Sequence, residues 1–278
     1  MKFRLDHVVI AVADLGKAVE GYRALGFTVV IGGRHPGRTS HNALVALQDG
    51  AYLELIAWTA PGPGERWYDV HAKHGDGLMD FALLPEDTAQ AIAEAKARGL
   101  ALDGPIDGGR VRPDGTQIQW QTGRQSTFDL PFLCGDVTPR ALRVPEGEAR
   151  KHPNGVVGVK SVTVAVHDLD ATLTRYAALL GHGADEGGEE VERAESGIVL
   201  PASGVRVAFV ALEGTRIVLL SPSKEGAGSS SRLADMLHDR LATRGEGPCA
   251  MALRAGPGRS ALALDPELSR DRMIDIRP

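Results

Sequence analysis

Two side chains of chemical interest interrupt apolar strands early in the chain. His7 stands in Leu5-Asp6-His7-Val8-Val9-Ile10-Ala11-Val12, and Glu54 stands in Tyr52-Leu53-Glu54-Leu55-Ile56. Alternation in a strand puts His7 on one face with Val9 and Ala11, away from the helix that follows. It puts Glu54 beside Tyr52, Ile56 and Trp58. A carboxylate is expensive to bury unpaired, so Glu54 faces a partner, a metal or water. Imidazole plus carboxylate suits a divalent transition metal such as zinc, manganese, iron or nickel, with positions left open for substrate. Glu54 is then also the candidate catalytic base. The competing reading is a solvent-facing Glu54 and a histidine satisfied within its strand.

Further candidates surround this pair. Pairing the hairpin about Asp49-Gly50 places His41 on the face of Glu54, as a third metal ligand or a substrate contact. Asp80 opens a second unit about two residues out of register with His7, and is the fourth candidate ligand. Two GG-R stretches put Arg34 after Gly32-Gly33 and Arg110 after Gly108-Gly109, with Arg112 beside it. Guanidinium forks suit an anionic, oxygenated substrate, and paired glycines let backbone N–H groups approach an anion. Tyr52, Trp58 and Trp120 are the candidate aromatic walls of such a site.

The elements that position these residues follow from periodicity. The run ending at Val12 reads as a strand. Asp14 caps a helix carrying Leu15, Ala18, Val19, Tyr22 and Leu25, which Gly26 stops. Phe27 to Ile31, His41 to Leu47 and Tyr52 to Trp58 read as three further strands, with residues 32–40 as a Gly-rich loop. The order is β-α-β-β-β. A weaker copy runs from Gly77 through a helix at 86–98 to Cys134. Residues 138–155, rich in Pro, Arg and Glu, read as a linker. The pattern then recurs: Val162 to Leu169 matches Val8 to Leu15, with Asp168 and Tyr176 in register with Asp14 and Tyr22. The last unit is shortened, with only 265–270 available for its helix. The chain thus divides into a first half (1–137), the linker (138–155) and a degenerate second half (156–278).

Composition narrows the function classes. A net charge of −5 gives no reason to expect nucleic acid or an acidic membrane as partner. Two cysteines, Cys134 and Cys249, without CxxC spacing fit a reducing cytoplasm rather than a disulfide scaffold. No P-loop, G-x-S-x-G, H-E-x-x-H or dinucleotide fingerprint occurs, so no nucleotide cofactor is expected.

Four tandem βαβββ units opening with DHVVIAVADL and carrying GGRHPG, HNALVAL and YLELIAW resemble the vicinal oxygen chelate superfamily. Within it they are most similar to the glyoxalase-like domain family. The resemblance is strongest over residues 5–58, continues through GGRVRPDG and LPFL to about residue 135, and is general in the second half. It implies an α+β fold of paired units forming cupped mixed sheets, as in glyoxalases, bleomycin-resistance proteins and the related dioxygenases. It also implies that the ligand and any metal sit in the cup, on the first and last strands of a unit, where His7 and Glu54 stand. Two functions follow. One is a metal-dependent lyase, isomerase or dioxygenase acting on a small oxygenated metabolite. The other is a metal-free protein that binds or sequesters a small molecule. A monomer or homodimer is expected. Ser161, Val205 and Val218 replace His7, His41 and Glu54 in the second half, which is therefore expected to be a catalytic blank.

Overall fold

The computed structural model describes residues 2–181, 198–200, 204–223, 231–269 and 273–277. Arg270, at the end of the shortened helix segment, lies outside these. In the first unit β1 (Phe3–Ala11) leads through α1 (Leu15–Ala24) to β2 (Val30–Arg34), β3 (Ser40–Ala46) and β4 (Tyr52–Trp58). A short α2 (Tyr68–His74) precedes the second unit, β5 (Gly77–Pro85), α3 (Thr88–Ala97), β6 (Asp103–Val111), β7 (Gln117–Arg124) and β8 (Phe132–Asp136). Asp14 and Asp87 cap their helices by accepting from the backbone N–H of Lys17 and Gln90.

These eight strands close into a barrel, in the order β1-β4-β3-β2-β6-β7-β8-β5. β1 runs parallel to β4 on one side and antiparallel to β5 on the other. The other seam is narrow, with Arg34 of β2 opposite Val111 of β6. Here the structure corrects the sequence reading. The two GG-R stretches are strand ends rather than loops, and the second strand starts at Val30 instead of Phe27. Phe27 and Val29 are instead packed in the main core. Gly33 has φ 138°, and a Cβ there would stand 1.9 Å from the Val111 carbonyl oxygen. The glycine therefore lets two backbones meet; it does not form an anion nest.

The segment 138–155 is more than a spacer. It forms α4 (Arg140–Arg143) and a 3-10 turn at Gly147–Arg150, and it plugs one end of the barrel with Arg143, whose side chain is 2% exposed.

The second half continues with β9 (Val156–Ala165), α5 (Leu169–Leu180), β10 (Ile198–Leu200), β11 (Val205–Leu212) and β12 (Thr215–Pro222). It ends with α6 (Arg232–Arg244), β13 (Gly247–Ala255), β14 (Leu262–Ala263), α7 (Pro266–Ser269) and β15 (Ile274–Arg277). Its sheet has seven strands in the order β10-β11-β12-β9-β13-β15-β14. The face equivalent to the cup is apolar: Val205, Val207, Val218 and Leu220 pack against Ala234, Leu237 and Leu241 of α6. One buried cluster takes in the helix-side faces of both sheets, so the halves share a core. The repeated tyrosines cross between them. Tyr22 donates to the Ser269 carbonyl at 2.9 Å, and Tyr176 donates to the Asp129 carbonyl at 3.1 Å. No helix among the described residues is long and apolar enough to cross a membrane.

Candidate functional site

The barrel of the first half encloses a cavity of about 440 Å³. The pleat decides which residues reach it. Val8 and Ile10 face the main core, whereas Val9 and Ala11 face the cup. The ladder between β1 and β5 is irregular between Leu5 and His7. Leu5 still faces the main core, and the irregularity frees both Asp6 and His7 from it.

His7 is fixed from behind. Its Nδ1 donates to Asp6 Oδ2 at 2.7 Å, its ring stacks on Tyr52 at 4.7 Å, and the edge of Phe132 lies 5.3 Å away. Asp6 is fully buried, which by itself would raise its pKa. Arg143 outweighs that, and His7 and Arg140 add to it, so the carboxyl lies well below its usual range and is ionised. Arg143 reaches Asp6 with Nη1 at 2.7 Å and Nη2 at 3.0 Å, and Arg140 reaches it at 2.6 Å. Asp136 accepts from Arg143 Nε at 2.5 Å, and the Tyr52 hydroxyl accepts from Arg143 Nη1 at 3.0 Å. An ionised carboxylate accepting from Nδ1 sets the ring orientation and leaves Nε2 pointing into the cup.

Nε2 of His7 meets Glu54 Oε2 at 3.4 Å, with both side chains buried. The other carboxylate oxygen, Oε1, accepts from Asn42 Nδ2 at 2.6 Å and lies 3.8 Å from His35 Nε2. His35 sits beside Ser40, with 3.0 Å between Nδ1 and Oγ, and burial lowers its pKa despite the opposing pull of Glu54. Asn42 is itself held, its Oδ1 accepting from Arg110 Nη1 at 3.2 Å. Arg110 is buried and also donates to the Arg143 carbonyl at 2.8 Å, while its Nε has no partner. Gly32 makes room for this contact, since a Cβ there would fall 2.0 Å from Asn42 Oδ1.

Metal fit can be judged from the donors. Asp6, His7 and Cys134 offer ligand atoms within 4.8 Å of one another. That trio does not fit. Arginines engage both Asp6 oxygens, and burial pushes the Cys134 thiol far up, away from the thiolate a metal needs. His7 and Glu54 fit better. Two ligands each about 2.1 Å from one ion stand roughly 3.0–3.4 Å apart, close to the 3.4 Å between His7 Nε2 and Glu54 Oε2. A neutral His35 faces the second oxygen of the same carboxylate.

The expected site residues divide as follows. His7, Glu54, Tyr52, Trp58, Trp120 and Arg110 all line the cavity. His41 does not. Asn42 pairs with Ile56 and Leu44 with Glu54, so His41 points outward, where exposed Arg34 lies near it. The register differs by one because the hairpin turns over Gln48-Asp49-Gly50, with Leu47 and Ala51 still bonded and Gly50 at φ 88°. Arg34 leaves the cavity for the same reason of alternation, and Arg112 sits in the β6–β7 turn paired with Asp114 at 3.4 Å. Asp80 is buried but occupied, accepting from Arg66 Nε at 2.8 Å, Trp67 Nε1 at 2.9 Å and the Phe81 N–H at 2.9 Å. The sequence reading missed His35, Asn42, Asp6, Arg140 and Arg143. Asp6 was legible as a charge inside an apolar strand; the arginines, in an aperiodic segment 134 and more residues away, were not.

The sequence pattern of a glyoxalase-like domain family matches residues 5–180. No curated protein matches the chain in sequence. Among solved structures, a hypothetical protein from Staphylococcus aureus is similar at a TM-score of 0.68 and 12% identity, over 99% of both chains. A mutant 4-hydroxymandelate synthase from Streptomyces coelicolor is similar at 0.63 and 15%, over 96% of this chain and 78% of that one. A fusion of a xylose isomerase-like TIM barrel with a 4-hydroxyphenylpyruvate dioxygenase is similar at 0.51 and 16%, over 91% and 36%. At these identities the likeness is one of fold.

Proposed function

Because the chain belongs to the glyoxalase-like domain family of the vicinal oxygen chelate superfamily, we propose that it is an enzyme that moves a proton on a small oxygenated molecule held in the barrel of its first half. The carrying observation is the buried 3.4 Å approach of His7 Nε2 to Glu54 Oε2, with His7 locked from behind by ionised Asp6. A divalent metal, held by His7 and Glu54 with His35 nearby, would supply Lewis-acid polarisation of a substrate oxygen. Zinc, manganese or nickel suits this proton transfer in a lyase or isomerase, whereas iron would suit a dioxygenase, a different reaction that consumes dioxygen.

The chain's own residues have separate tasks. Asn42 holds Glu54 Oε1 while Oε2 faces His7 Nε2, and this carboxylate, or a water beside it, is the base. Asp6 keeps the proton of His7 on Nδ1. Arg110 lines the cavity as a buried cation whose Nε has no protein partner, and it is the candidate contact to a substrate oxygen. Trp58 and Trp120 wall the cavity.

A metal-free binding protein is the second reading, and one observation favours it. His7 lies between Asp6 and Glu54, so its two ring nitrogens already face a carboxylate on either side. Metal analysis of dialysed protein, followed by reconstitution with zinc, manganese, iron and nickel, separates the two. One equivalent of metal, lost in both His7→Ala and Glu54→Gln, supports the enzyme. A metal-free protein that still binds a small oxygenated ligand through these side chains gives the second reading.

A further inference from the structure

The cup opens onto a groove that reaches Phe128, and Arg38, Glu65, Arg66 and Arg124 line both spaces. We infer that these three arginines form an oxyanion subsite at the mouth, which takes the carboxylate or phosphate end of a molecule whose other end reaches His7 and Glu54. None of the three belongs to the two GG-R stretches.

Their surroundings leave positive charge unanswered. Arg66 spends Nε on Asp80 at 2.8 Å and Nη1 on the Gln125 carbonyl at 2.9 Å, but its Nη2 is buried without a partner. Such a donor costs stability unless a ligand satisfies it. Arg124 donates Nε to Thr122 Oγ1 at 3.2 Å. Among the described residues, no carboxylate lies within ion-pair distance of Arg124 or Arg38. Burial, reinforced by Arg38 and Arg66 and opposed by Asp80, pulls the pKa of Arg124 down to about 10.

The acidic neighbours are committed elsewhere. Glu65 Oε1 accepts from the Thr39 N–H at 2.8 Å and Thr39 Oγ1 at 2.9 Å, and Oε2 accepts from Trp58 Nε1 at 3.1 Å. Asp80 is filled by Arg66, Trp67 and the Phe81 N–H. Glu65 lines the same two spaces with its oxygens taken up by Thr39 and Trp58, and Asp80 answers Arg66, so Arg38 and Arg124 are left to meet a carboxylate or phosphate, the groups guanidinium forks recognise. Arg66 is also backed by Phe128, whose ring centre lies 4.7 Å from its guanidinium carbon.

The subsite rests on the reading that the cup holds a substrate, but its chemistry is separable from that of His7 and Glu54. The test is calorimetric titration of dialysed protein with inorganic phosphate and, separately, malonate. Saturable binding is expected, weakened about tenfold or more in Arg124→Met and in Arg38→Met. It is expected to be unchanged in Arg34→Met, whose side chain lies outside the cavity. The anion that binds more tightly identifies the group recognised. Thermal unfolding shows that each variant is folded; Arg38 is exposed, so its variant preserves the test if Arg124→Met fails to fold. Binding retained in Glu54→Gln supports a subsite distinct from the metal and proton chemistry, even if that chemistry is absent. Three results overturn the proposal: no saturable binding of either anion, wild-type affinity in the folded arginine variants, or equal weakening in Arg34→Met.

Discussion

Asp6 carries the most consequence of any single residue in the site. It is fully buried, it orients His7, and it is the anchor for Arg140 and Arg143. Asp6→Asn should cost about 3 kcal/mol, because it strips the buried Arg143 guanidinium of one of its two counter-charges and leaves it only Asp136. The pH dependence has a definite sign. A carboxyl lowered in the folded state contributes stability in full above its unfolded value of about 3.9, and loses it as pH falls through the folded value. Urea unfolding should therefore show the gap between wild type and Asp6→Asn narrowing below about pH 3.9. A gap independent of pH down to acid unfolding would mean that Arg143 is held by Asp136 alone.

Among the elements, the segment 138–155 and strand β2 are the most exposed to test. His152 docks that segment: its Nδ1 accepts from the Thr28 N–H at 3.0 Å and its Nε2 donates to the Ala46 carbonyl at 3.0 Å. Burial is the main cause of its lowered pKa, with the Ala46 contact opposing. The unfolded imidazole takes up a proton below about pH 6.5, before the folded one does. The stability it contributes is complete above that pH and lost as pH falls through the folded value. His152→Gln should flatten the stability profile just below about pH 6.5, where one histidine contributes a slope of up to about 1.4 kcal/mol per pH unit. An unaltered slope would remove His152 from the account. At the β2–β6 seam, Gly33→Ala meets both a left-handed φ and the Val111 carbonyl, so a loss of about 2–3 kcal/mol is expected by denaturant unfolding.

For the whole molecule, the shared core predicts that the halves do not come apart. Calorimetry should show a single transition, and Tyr22→Phe or Tyr176→Phe should each lower stability by about 1 kcal/mol, since each removes a buried hydrogen bond between the halves. Two resolved transitions would show the halves to be independent. The second half is proposed to serve structure alone. Val218 stands where Glu54 stands in the first, and α6 covers the apolar face around it. Metal and oxyanion binding should therefore survive Ser161→Ala, and their loss in that variant would put a working site in the second half.

The sequence by itself determined what is local. Alternation and capping set β1, α1, β4, α3 and the tandem repeat, because period, cap and stop residues all lie within a few positions of the element they define. The same alternation turned His7 and Glu54 from the helix-side core, and repeat register exposed the apolar substitutions of the second half. Tertiary structure decided what depends on contacts distant in sequence. One extra residue in the turn after β3 exchanged His41 for Asn42 on the cup face. The close passage of β2 over β6 turned a glycine pair into a seam, and the folding of 138–155 against β1 gave Asp6 its cations. Hydrogen bonds that cross from one element to another leave no periodic trace in the chain, so only the packed molecule reveals which charges are spent on one another and which remain for a ligand.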